Sequence, residues 1–96
     1  MLQAASWTLK EAVHWDRIRI TTRSWDDYPI LGFDELPRTL HVQLIGHPEQ
    51  PPLGASECAA GPTAAAIPNA LQDAIGVRVH DLPLTAERVR AAVERG

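Results

Sequence analysis

Pro51-Pro52-Leu53-Gly54-Ala55-Ser56-Glu57 runs without pause into Cys58-Ala59-Ala60-Gly61-Pro62-Thr63-Ala64-Ala65-Ala66-Ile67-Pro68-Asn69-Ala70. Prolines and a glycine bring the backbone to a bend, one carboxylate sits on that bend, and a small-residue helix follows. The helix is expected to begin near Pro62, because proline suits a first turn, and to run to about Ile75 with Gly76 as its stop. Pro68 inside it removes a backbone donor and clashes with the preceding turn. That costs roughly 3 kcal/mol in an ordinary helix, so a kink or break is expected there.

Downstream of the helix, Val77-Arg78-Val79 reads as a short strand that ends at Asp81-Leu82-Pro83. Thr85 is placed to cap a last helix through about Arg95. Glu87 sits early enough to favour the helix dipole, with Val89 and Val93 facing inward. Upstream, Leu40-His41-Val42-Gln43-Leu44-Ile45 alternates cleanly, with Leu40, Val42 and Leu44 on one face, and reads as a strand. His47-Pro48-Glu49-Gln50-Pro51-Pro52 is a stiff connector into the bend. Further back, Arg17-Ile18-Arg19-Ile20-Thr21 alternates in a β-branched context and is expected to be a short strand. Ile30, Leu31 and Phe33 are expected to pack. Leu2, Ala5, Leu9, Ala12 and Val13 recur at helical spacing, giving a helix from about Leu2 to His14 with no cap before it. Helices interleaved with short strands make the class α+β, as a single segment over residues 1–96.

Ninety-six residues bury only about 60 to 65 per cent of their unfolded surface, so the core is small. With 45% apolar and 22% charged residues the chain reads as globular rather than disordered. Nine basic residues against twelve acidic ones give a formal charge of -3. The basic residues are scattered rather than striped, which argues against a nucleic-acid partner. The lone Cys58 excludes an internal disulfide, and with no histidine close by in sequence it reads as a small packing residue. No apolar run approaches the length of a membrane span, and no signal peptide is visible. His14, His41, His47 and His80 share no metal-ligand spacing. Asp34-Glu35 reads as a solvated pair, since a working carboxylate dyad needs two opposed environments. A hydrolase built on Ser56 with His80 lacks a Gly-x-Ser-x-Gly elbow.

A lone loop glutamate is ordinarily a solvated surface group. What lifts Glu57 above that reading is the company it keeps. Ser6-Trp7-Thr8-Leu9-Lys10-Glu11, Trp25 with Tyr28-Pro29-Ile30-Leu31, the bend itself, Asn69-Ala70, Gly76-Val77-Arg78 and Leu82-Pro83-Leu84-Thr85 are separated features in a fixed order. Together they resemble the C-terminal end of the large subunit of molybdenum hydroxylases. That is the xanthine dehydrogenase and aldehyde oxidase family, and here its bacterial isoquinoline 1-oxidoreductase-like or nicotinate dehydrogenase-like branch. Matches spread over nearly the whole chain are more specific than one short motif.

The resemblance implies an oxidoreductase that hydroxylates a heteroaromatic ring or an aldehyde with a molybdenum-pterin cofactor. Glu57 would be the catalytic base, taking the proton from a metal-bound hydroxide. The chemistry explains the residue type, because partial burial raises a carboxylate's pKa enough for it to accept a proton. Gly54, Ala55 and Ser56 would pass their backbone close to the metal site. The family's pattern has a glycine where this chain has Ser56, which either donates to the carboxylate or blocks that approach. Trp25 and Tyr28 either line a substrate funnel or anchor their loop on the core.

The implied partners are the remainder of the large subunit, an iron-sulfur small subunit, a downstream electron acceptor and a small-molecule substrate. The compartment is left open between cytoplasm and periplasm. The glycine-rich and glutamine-containing segments that hold the pterin in the family are not among these residues. The isolated chain is therefore expected to bind no cofactor, to be inactive and to expose faces prone to self-association. The rival expectation is a standalone small binding module that keeps the same fold.

Overall fold

A computed structural model describes residues 1–55 and 57–96. Its elements are α1 (Leu2–Leu9), 3-10 turns at Trp25–Asp27 and Phe33–Glu35, α2 (Ala60–Ile75) and α3 (Ala86–Arg95). The β-structure among the described residues is one antiparallel bridge between Trp15 and Ile20.

α2 begins at Ala60, two residues before Pro62, so Pro62 falls in the first turn, where its missing N–H is not needed. Pro68 neither breaks nor ends the helix, contrary to the expectation of a break: helical geometry continues to Ile75. The turns on either side are anchored independently. Ile67 and Leu71 pack on the core, and α1 lies against α2. Gly76 ends the helix as expected, at φ 74°, with its N–H donating to the Gln72 carbonyl at 2.8 Å. A left-handed residue there costs glycine little and any β-carbon more.

α1 is shorter than its periodicity suggests. It stops at Leu9, with the N–H groups of Lys10 and Glu11 both donating to the Ser6 carbonyl. The residues beyond are taken by a hairpin-like turn instead. Thr21 N–H donates to the His14 carbonyl at 2.8 Å, and His14 N–H donates to Thr22 Oγ1 at 2.8 Å. The Asp16 carboxylate accepts from the N–H groups of Ile18 and Arg19 at 2.7 and 2.8 Å, reversing the chain inside the expected 17–21 strand. Aspartate competes for backbone donors in this way wherever a turn is on offer. These two bonds, Ile18 first, hold the Asp16 carboxyl below its ordinary range.

α3 follows its sequence signals closely. The Thr85 hydroxyl accepts from Arg88 N–H at 3.3 Å, and the Arg88 guanidinium donates to the carbonyls of Leu82 and Pro83. The inward face differs by one position. Ala92 is buried, Val89 packs beside the core, and Val93 is half exposed at 49%.

The core is Val79, Leu84 and Ala92, with Leu9, Ile67, Leu71, Val77 and Val89 packed around it. Val77 and Val79 are therefore core residues without forming the expected strand. Leu84 N–H donates to the Thr8 carbonyl at 2.7 Å, tying the segment before α3 onto α1. Thr8 itself is fully buried, its hydroxyl donating to the Ala4 carbonyl at 2.7 Å. Against this stands a long apolar exterior: Ile18, Phe33 and Leu44 are each 90% or more exposed. Phe33 and Ile30 thus do not pack as expected, and residues 40–45 form no strand. A strand must borrow its hydrogen bonds from a neighbour, and no other described segment lies alongside to lend them.

The dimensions agree with that picture. The radius of gyration is 16.6 Å, against about 12.5 Å for a compact chain of this length. The accessible surface is 8204 Å², roughly 2,800 Å² more than a folded monomer of this mass presents.

Candidate functional site

Glu57 stands three residues before the start of α2. Its carbonyl accepts from Ala60 N–H at 3.0 Å, and the Cys58 thiol donates to the Ala55 carbonyl at 3.3 Å. These bonds form a turn that feeds the chain into the helix. α2 lies against α1, and Ala60, Gly61 and Ala64 of its first turns border a cleft with Ala4, Trp7, Thr8 and Leu82. Small residues on α2 let it approach the Trp7 and Thr8 face of α1. Glu57 is thus hung from a packed helix pair, while its own surroundings are open: Gly54, Ala55, Glu57 and Cys58 are all exposed. Cys58 is a correction to the packing role expected of it. Ser56 lies outside the described residues.

A β-carbon built on Gly54 would meet nothing within 4 Å, and Gly76 has the positive φ among the described glycines, not Gly54. Neither close approach nor backbone strain inside this chain asks for glycine at 54. The turn encloses nothing, so the residues present do not by themselves fit a pterin-bound metal. Among the described residues, no group of three or more histidines, cysteines or carboxylates is placed to hold a metal ion.

Trp25 and Tyr28 lie elsewhere, on the loop that crosses α1. Their rings meet edge to face, 6.5 Å between centroids and 70° between planes. Tyr28 hydroxyl donates to Glu11 Oε2 at 2.7 Å, and Leu31 N–H donates to Ser6 Oγ at 3.0 Å. Together these bonds hold the loop on α1. Trp25 remains 78% exposed and, with Tyr28, Trp7, Leu2, Ile30 and Leu36, lines a cleft of 380 Å³. Tyr28 therefore anchors the loop, while Trp25 offers an uncovered aromatic face. The Glu11 bond, followed by burial, pushes the Tyr28 hydroxyl above its ordinary range.

Two partners of this region were not visible in the spacing. Lys10 Nζ reaches both oxygens of Glu35 at 2.6 Å, and Glu35 Oε2 accepts from Gly32 N–H at 2.8 Å. The Lys10 ammonium, then the Gly32 N–H, hold the Glu35 carboxyl below its ordinary range. Glu35 is therefore an ion-pair member rather than half of a solvated pair. The residues involved are 25 apart in sequence, so no local pattern could have paired them.

The geometry is thus a carboxylate on an open turn, a packed helix pair behind it, and an apolar exterior larger than the core. Sequence comparison gives a concrete counterpart. Over 93 residues the chain is 45% identical to a subunit of nicotinate dehydrogenase from Pseudomonas putida, an alignment covering 97% of this chain and 8% of the relative. The chain thus spans less than a tenth of the length of the curated relative it matches. No family model matches the chain. No solved structure matches it either.

Proposed function

We propose that this chain serves as the C-terminal part of the molybdopterin-binding large subunit of a molybdenum hydroxylase. The complete enzyme would hydroxylate a heteroaromatic ring or an aldehyde and pass electrons through an iron-sulfur subunit to a downstream acceptor. The observation that carries the reading is the 45% identity with a dehydrogenase subunit over 97% of this chain. The excess of exposed apolar surface supports it, since such surface calls for a larger body to cover it. In the complete subunit the cofactor would supply oxygen transfer and electron storage, held by residues outside these 96.

Glu57 is the chain's own contribution. A carboxylate on an exposed turn offers the basic oxygen that a general base needs. Its backbone carbonyl accepts from Ala60 N–H, which ties the residue to the start of α2. Trp25 presents an aromatic face at the mouth of its cleft, which supports a part in receiving a flat substrate. The α+β class belongs on this reading to the completed domain. A standalone binding module has less behind it, because four buried apolar side chains make a thin core for an independent protein.

Joining this chain into the Pseudomonas putida nicotinate dehydrogenase subunit in place of its 93-residue counterpart tests the reading. The joined protein should fold, retain molybdenum and hydroxylate substrate, whereas the isolated chain should do neither of the last two. A joined protein that folds and loads metal but has no turnover contradicts the proposal, as does stoichiometric molybdenum on the isolated chain.

A further inference from the structure

Residues 40–45 carry the most regular two-residue alternation in the chain, yet they stand unpaired. Leu40, Val42 and Leu44 are 53, 64 and 90% exposed, and Ile45 is 81% exposed. None of the N–H or C=O groups of residues 40–45 bonds to another backbone group among the described residues. A β-patterned segment with one apolar face and a free ladder on each side is half of a sheet contact. Backbone groups destined for burial need partners, and a neighbouring strand supplies them in one step.

We propose that residues 40–45 pair as a strand with a free sheet edge of the polypeptide forming the rest of the large subunit. Leu40, Val42 and Leu44 then complete an apolar sheet face there. The inference rests on the subunit reading given above. One observation chooses this occupant over a second copy of the chain: the matched relative extends far beyond the aligned segment, which is only 8% of its length, so a much longer polypeptide accompanies the corresponding segment there.

Amide hydrogen exchange at residues 40–45 reads the pairing directly, on the isolated chain and on the chain joined into the nicotinate dehydrogenase subunit. Exchange should be fast in the first and at least about a hundredfold slower in the second. Proline has no N–H to give a ladder, and neighbouring residues of a strand point their N–H groups to opposite sides. At least one of Val42→Pro and Gln43→Pro should therefore abolish the slowing, while both leave the helical signal of the isolated chain unchanged. Fast exchange in a joined protein that folds and holds molybdenum overturns the strand pairing and leaves the subunit reading standing. Failure of the joined protein to fold with the unsubstituted chain overturns the subunit reading, and the pairing with it. Slowing in the isolated chain as its concentration is raised assigns the edge to a second copy and overturns the occupant proposed.

Discussion

Tyr28 is the single tyrosine in the chain, so its ionisation can be followed by absorbance without ambiguity. Its hydroxyl donates to Glu11, and a negative partner disfavours the phenolate. The folded pKa is raised. The stabilisation is therefore full below the unfolded value of about 10 and is lost as pH rises through the higher folded value. Tyrosinate absorbance should appear at higher pH in the folded chain than in urea, and Glu11→Gln should move it back towards the ordinary value. An unchanged titration in Glu11→Gln would refute the bond. Glu35 runs the other way: its lowered carboxyl contributes above the ordinary carboxylate range and stops contributing as pH falls through the folded value. Both pairs escaped the sequence because hydrogen bonds across 17 or 25 residues leave no local trace. Glu57 was legible only as a residue type on a bend. Its openness follows from what surrounds it in space, and spacing is silent on that.

Among the elements, the helices were readable and the strands were not. Helices carry their own hydrogen bonds and end signals, so Gly76 and Thr85 announce themselves. Where the expected 17–21 strand fails, Asp16 is the cause, a side chain taking the Ile18 and Arg19 backbone donors into a turn. Strands depend on partners, and the alternation at residues 40–45 states a capacity to pair rather than a pairing made. Thr85 offers a quantitative check. Thr85→Ala removes the acceptor for Arg88 N–H and should cost about 1 kcal/mol of stability, with Thr85→Ser keeping most of it. Urea unfolding followed by circular dichroism measures the difference, and equal midpoints for the alanine and serine variants would show that the cap contributes nothing.

At the scale of the whole molecule, the open shape is the physical counterpart of the sequence similarity. A 16.6 Å radius and exposed side chains such as Ile18, Phe33 and Leu44 are costly for a protein that must stand alone, and natural for a segment that finishes a larger fold. The composition of 45% apolar residues could not disclose this, because it counts side chains without saying which of them find cover. On the proposed reading, the completed fold places Glu57 at a reaction centre. The most direct measurement of that placement is turnover and molybdenum content of the joined dehydrogenase carrying Glu57→Gln beside the unsubstituted form. Glutamine keeps the shape of glutamate and loses the basic oxygen. Metal content should be unchanged and turnover lower by about 10²–10⁴-fold. Near-normal turnover at equal metal content would contradict that placement.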